Sequence, residues 1–430
     1  MKLVDDLKSL LRSRGFFKLL GVRLVTQCGD GMFQAGLASL FFFNPAAGAN
    51  VTDVAISFLV LLLPFSLVGP FTGPFIDRWP RRQILFYGNL IRGFLVACIV
   101  AATLSGIGWL TYVLALTALG VNRMLLASLS ASLPNVVESN QRLLTANSLV
   151  PTLGGASTLC GAAIGFLLRL MLPTQALQQT GALIAAGILY VCGSGVATLL
   201  GKQELGPKEV TGGTLFTALR TAVKELADGV RYLIRRGTPA AALGTMSLHR
   251  FIYQLHVMMV ILAGRNLYAD PANADAGIAF FGGLFGAMVA GHGISIILTP
   301  LAHEKMRPHT WIVCCLIGGA VGQIIIASTP AYSWVVAGMF IFGIGIQGAK
   351  IAVDTIVQSD TADTYRGRAF SLYDVLFNIS ECIAAVVAIF IFPPVGWSRG
   401  IEIGMIVFVV LTAVWYATTI KKFKGIPRKV

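Results

Sequence analysis

Charged side chains are scarce in this sequence. Asp, Glu, Lys and Arg together make up 12% of the 430 residues, whereas a soluble globular domain has about 25%. Because so few charges cannot cover a water-facing surface, two or three soluble domains of ordinary size are excluded. The hydrophobic share of 56% also excludes intrinsic disorder.

Cysteines and nucleotide-binding loops are scarce or missing as well. Seven cysteines in 430 residues are too few for a disulfide scaffold. They all fall inside apolar segments, where we expect them to behave as small apolar residues and not to hold a metal. No Gly-xxxx-Gly-Lys-Ser/Thr sequence occurs, so a Walker loop that would couple the protein directly to ATP is excluded.

The sequence does contain a series of apolar segments long enough to cross a membrane. About 20 such residues cross the roughly 30 Å of hydrocarbon in a bilayer. Twelve windows qualify, at 16–43, 52–76, 83–105, 109–133, 143–169, 180–200, 238–263, 277–301, 310–328, 334–357, 369–392 and 400–420. They predict an all-α membrane protein with twelve transmembrane helices, and they are too long for the strands of an outer-membrane barrel.

The longest polar interruption, at 201–237, divides these spans into two sets of six. We therefore predict an N-terminal half at 1–200, a linker at 201–237 and a C-terminal half at 238–430. Apolar residues recur at helical spacing within the linker, between cationic ones. This pattern predicts an amphipathic helix on the membrane surface, with a calmodulin-type target as the alternative.

The distribution of cations predicts the orientation. If both termini are cytoplasmic, 25 of the 33 lysines and arginines lie on the cytoplasmic side, three lie outside and the rest lie within spans. The positive-inside rule favours this arrangement. The net charge of +14 then follows from topology, so a nucleic-acid partner is not expected.

A short loop between the second and third spans combines an acid with several arginines. It reads GPFIDRWPRR over residues 73–82. The acid can pair with an arginine or a helix N-terminus and so hold two helix ends in one conformation. Plain positive-inside placement is the alternative, but it does not require an acid at a fixed position.

This signature loop, residues 73–82, resembles the loop 2–3 motif of the major facilitator superfamily. The matching residues are Gly73, Asp77, Arg78, Arg81 and Arg82, with Pro80 where the family usually has glycine. Short motifs at 28–31, 144–147 and 366–368 are most similar to bacterial drug:proton antiporters of the third subgroup. The resemblance implies two six-helix bundles around a central site. It also implies a conformational latch in which the loop meets the start of the eleventh span, near Asp374.

The first span carries polar residues on one face. Arg23, Gln27, Asp30 and Gln34 follow one another at helical spacing, and ionisable residues within a span normally face a cavity or a partner. Asp30 lies near mid-span, where low-dielectric surroundings favour the protonated form that a proton carrier needs. A buried pair between Asp30 and an arginine, without a transport role, is the alternative. We predict Arg123 as the partner of Asp30 or as a substrate contact.

The seventh span carries a second polar set. It contains His249, Arg250, Tyr253, Gln254 and His256. Two histidines seven residues apart with an arginine between them predict the wall of a substrate cavity. Histidine can also exchange protons near neutral pH. A purely structural role for the histidines is the alternative.

Three later spans also carry charges. In the tenth, Lys350 and Asp354 are four residues apart, which predicts a structural ion pair. In the eleventh, one face carries Asp374, Asn378 and Glu381. We predict that Asp374 serves the latch, that Asn378 lines the cavity and that Glu381 is a second proton carrier. Glu402, near the outer end of the last span, is expected to be solvated.

These features predict a secondary transporter rather than an enzyme. The leading hypothesis is proton-coupled export of a lipophilic or amphiphilic small molecule by alternating access. The proton gradient would supply the energy and no cofactor would be needed. The protein would be a monomer in the bilayer of the cell membrane, the inner membrane if the bacterial resemblance holds. A flippase for lysophospholipid or another lipid is the alternative, and a membrane-embedded enzyme or receptor is more remote.

Overall fold

The computed structural model describes residues 13–43, 50–67, 71–76, 78–137, 140–207 and 215–423, and every regular element in these ranges is a helix. The helices are α1 Arg14–Phe41, α2 Val51–Leu67, α3 Thr72–Ile76, α4 Arg81–Leu104, α5 Gly108–Val136, α6 Asn140–Met171, α7 Gln175–Ala197, α8 Leu215–Arg236, α9 Thr238–Asn266, α10 Ala274–Lys305, α11 Pro308–Ser328, α12 Tyr332–Asp360, α13 Asp363–Ile391 and α14 Arg399–Lys422.

Ten helices of the described residues, α4–α7 and α9–α14, are long and apolar enough to cross a membrane. α1 is 28 residues long but carries Arg23 and Asp30, and it is not among the ten. The predicted span at 52–76 contains the shorter α2 and α3, and residues 68–70 between them lie outside the described ranges. The ten spans fit a multi-pass membrane protein, and the count of twelve and the cytoplasmic termini stay predictions.

Large apolar side chains lie on the outside of the spanning helices. Phe390 of α13 is 82% exposed and Leu159 of α6 is 72% exposed. In water an apolar surface of this kind would be a site of association or aggregation. In a bilayer the same side chains contact lipid acyl chains without cost, which is how a chain with few charges can fold.

The chain divides into two compact units. The first unit comprises Met1–Phe41 and Leu67–Ala222, and the second comprises Phe42–Ser66 and Val223–Val430. The segment that contains most of α2 is therefore grouped with the C-terminal helices. The domain boundaries drawn from the sequence, at 1–200, 201–237 and 238–430, stay a prediction.

The core of the first unit is formed by α1 packed against α6 and α7, and by α4 packed against α5 and α7. The contact between α1 and α6 depends on glycine. A Cβ at Gly31 would collide with the carbonyl oxygen of Thr158, and a Cβ at Gly161 with that of Cys28. The two backbones therefore approach more closely than any larger residue would allow.

In the second unit, α12 packs against α10 and α11, α9 packs against α13 and α10, and α14 packs against α11 and α9. α9 is the most enclosed of the spanning helices, with 78% of its most apolar segment buried. Polar side chains on α9 are therefore placed in the interior of this unit.

The amphipathic linker helix predicted from the sequence is present as α8. One face of α8 packs on the start of α13: the Tyr232 and Tyr365 rings stack with centroids 4.1 Å apart, and Glu225 lies 3.7 Å from Arg368. The opposite face carries exposed apolar residues, Val223, Val230 and Ile234. A single residue, Gly237, joins α8 to the spanning helix α9. The position of α8 on the membrane surface stays a prediction.

Candidate functional site

A buried charge cluster joins α1, α4 and α7 in the first unit. Nη2 of Arg92 and the hydroxyl of Tyr190 both donate to Oδ1 of Asp30, the hydroxyl at 3.1 Å. The guanidinium carbon of Arg92 lies 3.7 Å from the centroid of the Tyr190 ring. The three residues are between 0% and 4% exposed. Asp30 is therefore neutralised by a cation and held by two donors, which satisfies the requirements of a buried carboxylate.

The prediction that Arg123 is the partner of Asp30 is wrong. Its guanidinium partner is Arg92 of α4, whereas Arg123 is a half-buried residue of α5. Arginines within two different spans could both reach mid-membrane, and the rotation of each helix decides which one faces Asp30. An arginine inside a span is itself a signal that could have identified Arg92. Nothing in the sequence marks Tyr190.

The other polar residues on this face of α1 differ in their contacts and in their exposure. Nε of Arg23 donates to Oε1 of Gln27 at 2.9 Å, and Arg23 is 7% exposed. Gln27 is half-buried, whereas Gln34 is exposed. Arg23 and Gln27 thus bond each other within α1. Contact of Gln27, Gln34 or Arg123 with a substrate stays a prediction.

Two arginines of the signature loop bind backbone carbonyls of the first unit. Nη1 of Arg81 donates to the carbonyl oxygens of Ala131 at 2.7 Å and Leu205 at 3.1 Å. Arg82 donates to the carbonyl oxygen of Thr198, just after α7, at 3.1 Å. The last carbonyls of a helix lack partners within the helix and attract cations. These side chains therefore connect the start of α4 with the last part of α5 and with the segment that follows α7, all within the first unit.

The predicted latch is only partly described. Asp77 lies outside the described residues, Gly73 lies in the short helix α3, and Arg78 is half-buried after it. Asp374 is exposed, about three turns into α13. A latch formed by the signature loop and Asp374 stays a prediction.

A second acid–arginine pair lies between α9 and α13 in the second unit. Nη1 of Arg250 is 3.3 Å from Oε1 of Glu381. The guanidinium carbon of Arg250 lies 4.9 Å from the centroid of Tyr253 and 5.0 Å from that of Phe377. The structure thus brings together three residues that the sequence analysis singled out on two spans. Phe377, whose aromatic ring completes the cluster, was missed because nothing distinguishes it from other span phenylalanines.

Other polar residues of this region bond within their own helices. Nδ2 of Asn378 donates to the carbonyl oxygen of Asp374, one turn earlier in α13, at 2.7 Å. Nζ of Lys350 donates to Oδ2 of Asp354 at 2.6 Å, at the spacing that predicts a structural pair. That pair is about one-third and one-quarter exposed, so it is far less enclosed than the cluster around Asp30. Contact of Asn378 with a substrate stays a prediction.

The two histidines of α9 lie in the packed interior of the second unit. His249 and His256 are 1% and 0% exposed, and the ring of Phe342 lies against both, with centroids 5.9 Å and 4.5 Å away. Gln254 is also buried, at 2%. In this structure α12 covers the face that carries the histidines, so neither ring is open to solvent here. That His249, Gln254 and His256 line a substrate cavity stays a prediction.

Glu402 was also misjudged from the sequence. It is 1% exposed rather than solvated, and its Oε2 lies 3.3 Å from Nε2 of His256. A residue in the first turn of α14 is solvated only if nothing packs on that turn. Here α9 packs on α14 and covers Glu402. Within the described residues, no group of three or more histidine, cysteine or acidic side chains is arranged to hold a metal ion.

Comparison of this sequence with known proteins agrees with the bundle of apolar spanning helices in the structure. Residues 22–385 match a family described as the Major Facilitator Superfamily. The chain belongs to this superfamily. An uncharacterised MFS-type transporter of Mycobacterium tuberculosis is 32% identical over 91% of this chain and 88% of its own length. A second MFS-type transporter, from Bacillus subtilis, is 22% identical over 84% and 83%.

Solved structures of Major Facilitator Superfamily proteins share the fold. The nucleoside transporter NupG matches with a TM-score of 0.64 and 13% identity, over 94% of this chain and 98% of that one. A bacterial homologue of the human lysosomal transporter Spinster, in an inward-facing and unoccupied conformation, also gives 0.64, with 13% identity over 95% and 96%. At these identities only the fold is shared. The chain is thus a multi-pass transporter of this superfamily, and membership in the third drug:proton subgroup stays a prediction.

Proposed function

We propose that this protein is a secondary transporter that exports lipophilic or amphiphilic small molecules in exchange for protons. It would act by alternating access in the bacterial inner membrane. The observation that carries the proposal is the Arg250–Glu381 pair, flanked by the rings of Tyr253 and Phe377. The cluster combines an exchangeable acid, a cation and aromatic surface. These are the elements needed to bind an amphiphile and to sense a proton.

The contacts of Glu381 suit proton exchange. It accepts a hydrogen bond from Nη1 of Arg250 at 3.3 Å, and this arginine is half-buried rather than enclosed. Protonation of Glu381 would remove its attraction for Arg250 and change what the cluster can bind. Because each protonation state then favours a different set of contacts, proton binding and cargo binding become linked.

Asp30 is the weaker candidate for a proton carrier. Its carboxylate is held by both Arg92 and Tyr190 in a buried interior, and Arg92 must move away to release it. We therefore assign proton exchange first to Glu381 and a mainly structural role to Asp30. Proton exchange at Asp30 would require α4 to move against α1, so that Arg92 leaves the carboxylate.

The test uses purified protein in liposomes with an acidic lumen and the lipophilic dye Hoechst 33342 outside. Wild-type protein should accumulate the dye only while the pH gradient lasts. Glu381→Gln should lose gradient-driven accumulation but keep dye binding. Asp354→Asn, which changes a carboxylate of the neighbouring span α12, is the matched control and should accumulate dye normally.

Three outcomes separate the hypotheses. Equal accumulation by wild type and Glu381→Gln, with loss in a folded Asp30→Asn variant, would transfer the carrier role to Asp30. Dye accumulation that ignores the gradient would end proton coupling. Gradient-independent movement of a fluorescent lysophospholipid between leaflets, with no dye transport, would favour the flippase.

A further inference from the structure

A second pair of titratable side chains lies in the interior of the second unit, besides Arg250 and Glu381. His256 of α9 and Glu402 of α14 face each other, with Nε2 and Oε2 3.3 Å apart. Both side chains are buried, at 0% and 1% exposure. Neither of these two atoms makes a hydrogen bond of standard geometry among the described residues, each other included. Buried polar atoms are normally satisfied, and for each of these two the facing atom is a partner within reach.

The tautomer of His256 follows from its other ring nitrogen. Nδ1 lies 3.0 Å from the carbonyl oxygen of Ile252, one turn earlier in α9. A carbonyl oxygen can only accept, so Nδ1 must carry a hydrogen. In a neutral imidazole this leaves Nε2 with a lone pair, and Oε2 of Glu402 lies 3.3 Å from that nitrogen.

A deprotonated Glu402 would place a second acceptor opposite that lone pair. Two acceptors 3.3 Å apart in a buried site repel each other, and a carboxylate there would be an uncompensated charge. One proton must therefore lie between Nε2 and Oε2. It can belong to Glu402, which gives a neutral pair, or to His256, which gives an ion pair.

The surroundings favour the neutral pair. The side chain that α12 places on His256 is the apolar ring of Phe342, at a centroid distance of 4.5 Å. Separated charges in such a site need additional hydrogen bonds, and the two facing atoms have none among the described residues. The N-terminus of α14 favours a carboxylate at Glu402, but a helix terminus contributes less than the desolvation of two ions costs.

Most charged groups on the neighbouring helices pair with residues other than His256 and Glu402. Arg250 of α9 pairs with Glu381 of α13, and Lys350 of α12 pairs with Asp354 one turn later. Arg399 of α14 donates to the carbonyls of Ala327 and Ser328 at the end of α11, and His309 of α11 bonds Tyr416 of α14.

Two further histidines lie in this region. His249 of α9 lies against Phe342, and neither of its ring nitrogens has a hydrogen-bond partner among the described residues. His292 of α10 lies beside the ring of Tyr253.

We propose that His256 and Glu402 form a proton-binding site in which Glu402 is protonated and donates to Nε2 of His256, and that this proton is exchanged during transport. The connection between α13 and α14 packs on α9 about one turn after His256, where a Cβ on Gly396 would lie 2.9 Å from the carbonyl oxygen of Met259. Because both side chains of the pair are buried, exchange of the proton requires the helices around them to move apart. The exchange of this proton during transport rests on the proposed function. The presence of a proton between His256 and Glu402 does not depend on it.

Infrared spectroscopy of the purified protein tests the bound proton directly. Wild-type protein should show the carbonyl stretch of a protonated carboxylic acid that is shielded from deuterium exchange. This band should be absent from Glu402→Gln and unchanged in the control Asp354→Asn. His256→Asn changes the acceptor but keeps the acid, so it should shift the band rather than remove it.

Transport in liposomes tests the exchange. Glu402→Gln mimics the protonated acid and cannot release a proton, so it should exchange Hoechst 33342 across the membrane at equal pH but fail to concentrate it along a gradient. A spectrum of Glu402→Gln identical to that of wild type would overturn the protonated acid. Wild-type accumulation by Glu402→Gln would overturn the exchange. Failure of wild-type protein to move dye would count against the proposed function alone and leave the infrared result standing.

Discussion

The buried Asp30–Arg92 pair gives the sharpest prediction about stability. Asp30→Asn keeps the size of the side chain and leaves an oxygen that can accept from Tyr190, but it removes the negative charge. Arg92, which is 1% exposed, then becomes a buried cation without a counter-charge. The ring of Tyr190 still lies beneath the guanidinium, so part of the favourable surroundings remains.

The expected cost is large. Removing one partner of a buried ion pair destabilises a protein by about 3–5 kcal/mol, and we expect the lower end of this range for Asp30→Asn because Tyr190 remains. Arg92→Gln should cost a similar amount, since it leaves the carboxylate with the Tyr190 hydroxyl alone. The double variant removes both charges and should cost roughly as much as either single one. The coupling energy is then about 3 kcal/mol, at the top of the usual range for contacting residues.

The measurement is a double-mutant cycle on the free energy of unfolding. Purified protein in mixed micelles is unfolded with increasing SDS and followed by the loss of helical circular dichroism. Lys350→Gln, Asp354→Asn and their combination provide a matched cycle on a pair that is about one-third and one-quarter exposed. That pair has the spacing of a helix-surface pair, so its coupling should be only about 0.3–0.5 kcal/mol.

The outcome of the two cycles decides the argument. A large coupling for Asp30 and Arg92 beside a small one for Lys350 and Asp354 supports a structural ion pair in the first unit. Additive effects of Asp30→Asn and Arg92→Gln would refute it, because two groups that neutralise each other cannot act independently.

Three further predictions concern packing, the signature loop and topology. Gly161→Ala should sharply lower the yield of folded protein, because its Cβ would strike the backbone of α1. Gly155→Ala, in the same helix, places its Cβ in open space and should be tolerated. Size-exclusion chromatography of detergent extracts measures the yield of both variants. Arg81→Ala should lower the unfolding free energy by about 1–3 kcal/mol, since it removes two hydrogen bonds from a charged donor to the carbonyl oxygens of Ala131 and Leu205, and an unchanged SDS midpoint would contradict this. In intact cells, a cysteine in place of Asp270 should react with an impermeant maleimide and one in place of Lys421 should not; the reverse pattern would invert the predicted orientation.

Much of the fold follows from the sequence alone. An apolar run has to be about as long as a bilayer is thick, so composition and length locate most spanning helices to within a few residues. The predicted window at 334–357, for example, lies within α12, Tyr332–Asp360. Periodicity also identified the linker helix α8, because its alternation of apolar and cationic residues is a local property. The cost of burying a charge in lipid was enough to mark Asp30, Arg250 and Glu381 as residues that need a partner.

The choice of partner was decided by the tertiary structure. Asp30 pairs with Arg92 instead of Arg123, and Glu402 is buried against His256 instead of solvated. Helical spacing tells which residues of one helix share a face, but it does not tell which neighbour that face meets. That depends on the rotation and approach of whole helices, which are fixed by close contacts such as the one between Gly31 and the backbone of α6. These contacts join residues far apart in the chain, so no local pattern records them.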